Sequence, residues 1–175
     1  MNQTKFSLAF VTGASSGIGA GMCRLLASKG IPLLITGRDT FRLKTLSDEL
    51  ETLVPVETVI ADIANLEHRR MLTAKIHERM PDLVINNAGL GLYGRALSHE
   101  TKELQGIVDV NVSGILEFTL EAARTLLSSK KKGVILNVSS ASDLITFPGL
   151  AVYAASKAFV TQFSKSLDEE MKSSG

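Results

Sequence analysis

The chain has 175 residues, 45% of them hydrophobic, with 19 Lys and Arg against 18 Asp and Glu for a net charge of +1. That length holds one domain with a sizeable core, and the balanced charge excludes the strongly basic footprint of a nucleic-acid binder. Cys23 is the one cysteine, which excludes an intrachain disulfide framework and a cysteine-cluster metal site.

The first apolar run, Leu8–Thr12, reads as a core strand. It is shorter than a secretory apolar region of roughly 7–15 residues or a membrane span of roughly 18 or more. The expectation is therefore a cytoplasmic protein without a membrane partner. Ile18, Met22, Leu25, Leu26 and Lys29 trace a helix, closed by Gly30 and followed by Pro32. Leu33–Thr36 predicts a second strand. Leu43, Leu46, Leu50 and Leu53 then recur at helical spacing. Val56–Ile60 reads as a third strand, Leu66–Glu78 as a helix, and Asp82–Asn86 as a fourth strand of the buried parallel type. After glycines 89, 91 and 94, one long helix is predicted from Thr101 to Ser128, with Lys130–Lys132 suiting its negative end. Val134–Val138 predicts a fifth strand and Val152–Lys172 a last helix. Strands separated by helices predict an α/β fold, a doubly wound parallel sheet with helices on both faces.

In such sheets ligands bind beyond the carboxyl ends of the strands. Here every strand end feeds unusual residues to one rim: Gly13–Gly19, Gly37-Arg38, Asp62, Asn87–Gly89 and Ser139-Ser140. The turn Thr12-Gly13-Ala14-Ser15-Ser16-Gly17-Ile18-Gly19 combines glycines, which permit close backbone approach, with a helix N-terminus that offers free N–H groups. That suits a pyrophosphate, although the strict G-x-G-x-x-G fails because Met22 takes its sixth position. Gly13-Ala14-Ser15-Ser16-Gly17 also matches the G-x-S-x-G elbow of hydrolases. That reading needs a basic histidine after a strand, and His68, His77 and His99 all lie in or before helical segments. The same histidines lack metal-ligand spacing, so no metal site is expected.

Tyr93 and Tyr153 are the two tyrosines, and Tyr153 has Lys157 four residues on, on the same helical face. A phenol is a poor base at neutral pH unless a neighbouring ammonium favours phenolate. This pair opens the helix after the fifth strand, and Ser140 ends that strand on the same rim.

With these motifs the sequence resembles the short-chain dehydrogenase/reductase family over its whole length. Thr12–Gly19 is similar to the family's T-G-x-x-x-G-x-G turn, Asn86-Asn87-Ala88-Gly89 to its N-N-A-G motif, and Tyr153–Lys157 to its Y-x-x-x-K motif. Ser140, thirteen residues before Tyr153, matches the catalytic serine better than Ser139 does. Asn111 matches the catalytic asparagine, and Asp62 the acidic residue that binds adenine. The resemblance implies a Rossmann-like domain and hydride transfer between a nicotinamide cofactor and a carbonyl or alcohol. Tyr153 would be the proton donor or acceptor, and Ser140 would hydrogen-bond the substrate oxygen. Lys157 would support Tyr153 and hold the nicotinamide ribose, while Asn111 would position a relay water. The cofactor site would comprise Gly13, Ser15, Ser16, Gly17, Ile18, Gly19, Arg38, Asp62, Ile63, Asn87, Ala88 and Gly89, with Tyr153 and Lys157.

Cofactor choice rests on Thr36-Gly37-Arg38. No carboxylate precedes Asp39, and a guanidinium pairs well with a 2′-phosphate, so NADP(H) is favoured over NAD(H). Asp39 turning inward to a ribose remains the alternative. Apolar loops at Leu90–Leu97 and Asp143–Pro148 point to an apolar carbonyl or alcohol as the small-molecule substrate. The resemblance further implies a homodimer or homotetramer packed through the helices of Asn111 and Tyr153. Family members run longer, so residues 1–175 are expected to form a single NAD(P)-binding domain without the C-terminal substrate-binding part. Gly175 would cap the last helix, and the fifth strand would be an open edge. The competing expectation is a non-catalytic nucleotide-binding or dimerising module.

Overall fold

The computed structural model describes residues 6–172; Gly175 and its expected capping role lie outside them. Five strands, β1 (Ala9–Thr12), β2 (Leu33–Gly37), β3 (Val56–Ile60), β4 (Leu83–Asn86) and β5 (Val134–Asn137), form one parallel sheet. Their order is β3-β2-β1-β4-β5, so the chain reverses direction across the sheet between β1 and β4. The helices are α1 (Gly17–Ser28), α2 (Thr40–Leu50), α3 (Leu66–Arg79), α4 (Thr101–Val108), α5 (Ile115–Ser129) and α6 (Ala151–Met171). The doubly wound fold expected from the strand–helix alternation is the fold observed.

Side chains alternate along each central strand and supply two apolar layers. Ala9, Val11, Leu33, Ile35, Leu83 and Ile85 face α1 and α2, where Cys23, Leu26, Leu43, Leu46 and Leu50 close the layer. Phe10, Leu34 and Val84 face α3 and α5, against Leu72, Ile76, Phe118 and Ala122. The Phe10 and Phe118 rings meet edge to face at 6.0 Å. Cys23 is wholly buried, and burial pushes its thiol up to about 12, so it is packing material rather than a nucleophile.

The structure differs from the sequence expectations at several element ends, by one residue at the start of β4 and the end of β5, and within one helix. Leu53 lies past the end of α2 and is exposed, because Leu43, Leu46 and Leu50 already fill the α2 stripe. The first strand begins at Ala9 instead of Leu8. The long helix is not uniform: Asp109–Gly114 forms a π-helical segment between α4 and α5. Gly30 closes α1 as expected, at φ +72°, with the Gly30 and Ile31 N–H groups bonding back to Ala27 and Leu26.

β5 pairs only with β4 among the described residues, and Val134 and Leu136 stand exposed on one face of it. At the opposite side of the core, Arg69 is 6% exposed and holds two elements together. Its Nε donates to Glu117 on α5 at 3.0 Å, and its Nη1 to the Ile63 carbonyl at 2.9 Å. Arg69→Met removes one partner of a largely buried pair. Its cost is expected at roughly 3 kcal/mol, the low end for such a loss because Glu117 keeps some water access; urea unfolding checks this.

Candidate active site

Two clefts adjoin along the carboxyl rim of the sheet. The first, of about 350 Å³, lies at the β1–β4 switch point and is lined by Gly13, Ser15–Ile18, Gly37, Arg38, Ala61–Ile63, Asn87–Leu90 and Val110. The second, of about 580 Å³, is lined by Gly91, Tyr93, Val138, Ser139, Ser140, Leu150, Tyr153 and Lys157. Ile18, Asn87 and Gly89 line both, so the two clefts share a wall.

The glycine turn is held by hydrogen bonds from β4. Thr12 Oγ1 accepts from the Asn87 and Ala88 N–H groups, each at 3.0 Å, while Asn87 Nδ2 donates to the Thr12 carbonyl at 3.0 Å. A Cβ on Gly13 would stand 2.8 Å from Ala88 Cα, and one on Gly19 only 2.3 Å from the Gly13 carbonyl oxygen. Both glycines are therefore required by packing. Gly17 differs: its φ is +54° and nothing lies within 4 Å of a Cβ there. That open flank sits at the N-terminus of α1.

Helix starts also distinguish this cleft. Asp39 caps α2 by accepting from the Arg42 N–H, and Asn65 caps α3 by accepting from Glu67 and His68. Ser16, at the start of α1, makes no side-chain cap bond. First-turn N–H groups of α1 are thus left for a ligand, with the positive end of the helix dipole behind them. Asp39 is further tied to Arg42 at 3.4 Å and does not line the cleft. Its sequence alternative, an inward turn to a ribose, is not the conformation seen. Asp62 does line the cleft, and its Oδ1 accepts from the Ala64 N–H at 3.0 Å.

In the second cleft, Tyr153 and Lys157 occupy one face of α6, as their spacing required. Lys157 Nζ lies 5.7 Å from the Tyr153 ring centroid and donates to the Val138 carbonyl at 2.8 Å. Lys157 is only 3% exposed, and burial lowers its affinity for the proton from the ordinary lysine value. Gly91 gives the phenol its room, since a Cβ there would reach 3.1 Å from the Tyr153 ring. The two serines face different partners. Ser139 Oγ donates to the Lys157 carbonyl at 3.0 Å. Ser140 Oγ accepts from the Ser142 N–H and hydroxyl at 3.2 and 3.0 Å, leaving its own hydrogen to donate.

Asn111 sits in the π-helical segment and is wholly buried. Its Oδ1 accepts from the Leu90 N–H at 2.8 Å, and its Nδ2 donates to the Leu90 carbonyl and to Ser156 Oγ, both at 2.9 Å. Ser156 Oγ donates in turn to the Tyr153 carbonyl at 2.7 Å. The side-chain amide is therefore spent on the protein itself. That amide braces the Leu90 loop against α6. Sequence reasoning missed Tyr93, Val138 and Leu150, which reach the second cleft from loops that carry no motif. His68, His77 and His99 line neither cleft, which leaves Ser15 without the base an elbow nucleophile needs.

Comparison with known proteins agrees with this geometry. The short chain dehydrogenase family model matches residues 7–175, and the chain belongs to that family. An uncharacterized oxidoreductase of Staphylococcus saprophyticus is 33% identical over the whole chain, which spans 76% of that protein. Among solved structures, a bulky-bulky ketone specific alcohol dehydrogenase from Comamonas testosteroni superposes with a TM-score of 0.93 at 29% identity, over 98% of this chain and 70% of that one. A short-chain dehydrogenase from Sphingobium yanoikuyae in complex with NADPH gives 0.92 at 29% identity, over 97% and 67%. The protein is an oxidoreductase of the kind that acts on CH–OH and C=O groups. Among the described residues no helix is long and apolar enough to cross a membrane.

The depressed lysine carries a pH signature. A lysine that binds its proton less well folded than unfolded destabilises the fold once the unfolded chain protonates, that is, as pH falls below its ordinary value of 10.5. Wild type is therefore expected to gain stability relative to Lys157→Met as pH rises from 7 toward 10.5, read from paired melting temperatures.

Proposed function

We propose that the chain forms one NADP(H)-binding unit that transfers hydride between nicotinamide and a carbonyl or alcohol, with Tyr153 as general acid and base. The observation that carries this reading is the shared wall of the two clefts, which sets a dinucleotide-shaped groove against a tyrosine, a lysine and a serine. Gly17, with its open flank, and the uncapped start of α1 suit the pyrophosphate. Asp62 and Ile63 suit the adenine end. Arg38 is exposed at the ribose side and is, among the described residues, the only cation lining the first cleft, so it suits a 2′-phosphate. Asp39 caps α2 and does not line that cleft.

NADPH, when bound, supplies the hydride. Everything else is done by side chains. In the reductive direction, Ser140 donates a hydrogen bond to the carbonyl oxygen as it gains charge, and Tyr153 gives it a proton. The Lys157 ammonium offsets the negative charge that builds on the phenol oxygen as that proton leaves. Asn111, through Ser156, fixes the first turn of α6 and so the height of Tyr153 above the Leu90 loop. Tyr93 and Leu150 at the mouth, with exposed Leu144, Ile145 and Phe147 on the β5–α6 loop, suit an apolar substituent on the substrate. Val108, Val112, Ala151, Val152 and Ala155 line a shallow apolar groove across α4 and α6 that suits pairing with a second copy.

Tyr153→Phe is expected to lower turnover of a test ketone by ~10²–10⁴-fold while leaving the NADPH dissociation constant within twofold. NADPH binding without turnover by the wild type would favour the non-catalytic module instead. Arg38→Ala is expected to weaken NADPH binding by ~10–100-fold, the worth of a charge-assisted hydrogen bond, while changing NADH binding little. Fluorescence titration of both nucleotides checks the difference.

A further inference from the structure

The β5–α6 loop carries a polar cluster that the proposed chemistry does not use. Ser139 Oγ, already donating to the Lys157 carbonyl, lies 2.7 Å from Thr161 Oγ1. The Thr161 hydroxyl donates to the Asp143 carboxylate, whose Oδ2 is also 3.4 Å from Ser139 Oγ. Thr161 stands one helical turn beyond Lys157 on α6. Asp143 ends the short 3-10 turn Ala141–Asp143, and its N–H closes that turn on the Ser140 carbonyl at 3.2 Å. Asp143 forms no ion pair among the described residues, so its carboxylate faces hydroxyls rather than a cation.

We propose that Asp143 is a positioning residue, which clamps the loop bearing Ser140 to the helix bearing Tyr153 and Lys157 by way of Thr161 and Ser139. The proposal rests on the reading of Ser140 and Tyr153 as the reacting pair. Two independent elements carry that pair. Ser140 is the end of a strand extended into a loop, and Tyr153 follows after twelve intervening residues, most of them irregular. Only tertiary bonds can hold the two hydroxyls within hydrogen-bond reach of one substrate oxygen, and a misplacement near 1 Å costs about 10²-fold in rate. The cluster bonds the loop on both sides of Ser140, at positions 139 and 143, to a helix whose own start is fixed by Asn111. Beyond Asp143 the chain runs into exposed Leu144 and Ile145, so the clamp is also where the ordered catalytic strand end gives way to the apolar rim.

The test compares Asp143→Ala and Thr161→Val with the conservative Thr161→Ser. Both disruptive variants are expected to lower kcat on a test ketone by ~10–100-fold with the NADPH dissociation constant within twofold of wild type. Thr161→Ser, which keeps the hydroxyl, is expected to stay within twofold in both. The double variant Asp143→Ala/Thr161→Val should lose no more than the worse single one, because both cut one link. If Asp143→Ala does not fold, Asp143→Leu, which has no acceptor for Thr161, takes its place in the same comparison. A kcat within twofold of wild type in Asp143→Ala or Asp143→Leu overturns the proposal, and so does a parallel loss of NADPH affinity.

A wild type that turns over no carbonyl defeats the oxidoreductase reading of the site but not the clamp, which has its own readout. With two tyrosines in the chain, a sample carrying ring-labelled tyrosine gives two signals, assigned by Tyr93→Phe. Loss of the clamp is expected to displace or broaden the Tyr153 signal, and an unchanged Tyr153 signal in the disruptive variants overturns it.

Discussion

The contact on which the rim depends is between Thr12 and Asn87, the residues at the ends of β1 and β4. One hydroxyl takes two backbone N–H groups and one amide returns to the Thr12 carbonyl. These bonds draw the glycine turn onto the start of the Leu90 loop until a single methyl group at Gly13 would not fit. Because the sheet order breaks between these two strands, the helices that follow them leave toward opposite faces, and a crevice is left between. Closing that crevice at its floor makes it a groove with two ends. One end meets Arg38 and Asp62, the other Tyr153 and Lys157.

The groove assigns opposite demands to its ends. At the glycine end the protein leaves backbone N–H groups unused, and Gly17 keeps a space that no side chain fills. At the tyrosine end it does the reverse and buries an ammonium, whose hydrogen bond the Val138 carbonyl accepts. Burial of that cation opposes folding. Holding a positive charge in that place spends stability. The surrounding core can sustain this because three of the five strands are buried along their whole length.

Much of this was legible in the sequence, for identifiable reasons. Unbroken apolar runs such as Leu83-Val84-Ile85 announce strands covered on both faces. Gly30 followed by Pro32 marks a helix end, and the spacing of Tyr153 from Lys157 and from Ser140 selects the residues that the fold gathers at one cleft. What stayed hidden depends on tertiary partners. Asn111 pairs with a backbone twenty-one positions away, and nothing in its neighbours reports that. Asp39 reads in the sequence only as a possible ribose ligand, and its role as the cap of α2 shows only once the first turn of that helix forms beside it. Ser139 and Ser140 differ in the sequence only by their spacing from Tyr153, and their different partners, Thr161 for one and Ser142 for the other, show only in the fold.

The π-helical segment between α4 and α5 has an evolutionary consequence. Each residue in a helix turns its successors by about 100°, so a π-segment offsets the phase of everything after it relative to what came before. Ile107 of α4 and Phe118 of α5 lie buried on either side of that offset, and Gly114 within it leaves no room for a side chain, since a Cβ there would stand 2.5 Å from Ile63 Cγ2. Substitution within Asp109–Gly114 acts locally, on the Leu90 and Ser156 bonds of Asn111 or on the Ile63 contact of Gly114. Gain or loss of a single codon there rotates all of α5 away from the sheet. Descendants of this chain are therefore held at this stretch in its length as well as at Asn111 and Gly114, by the core it feeds.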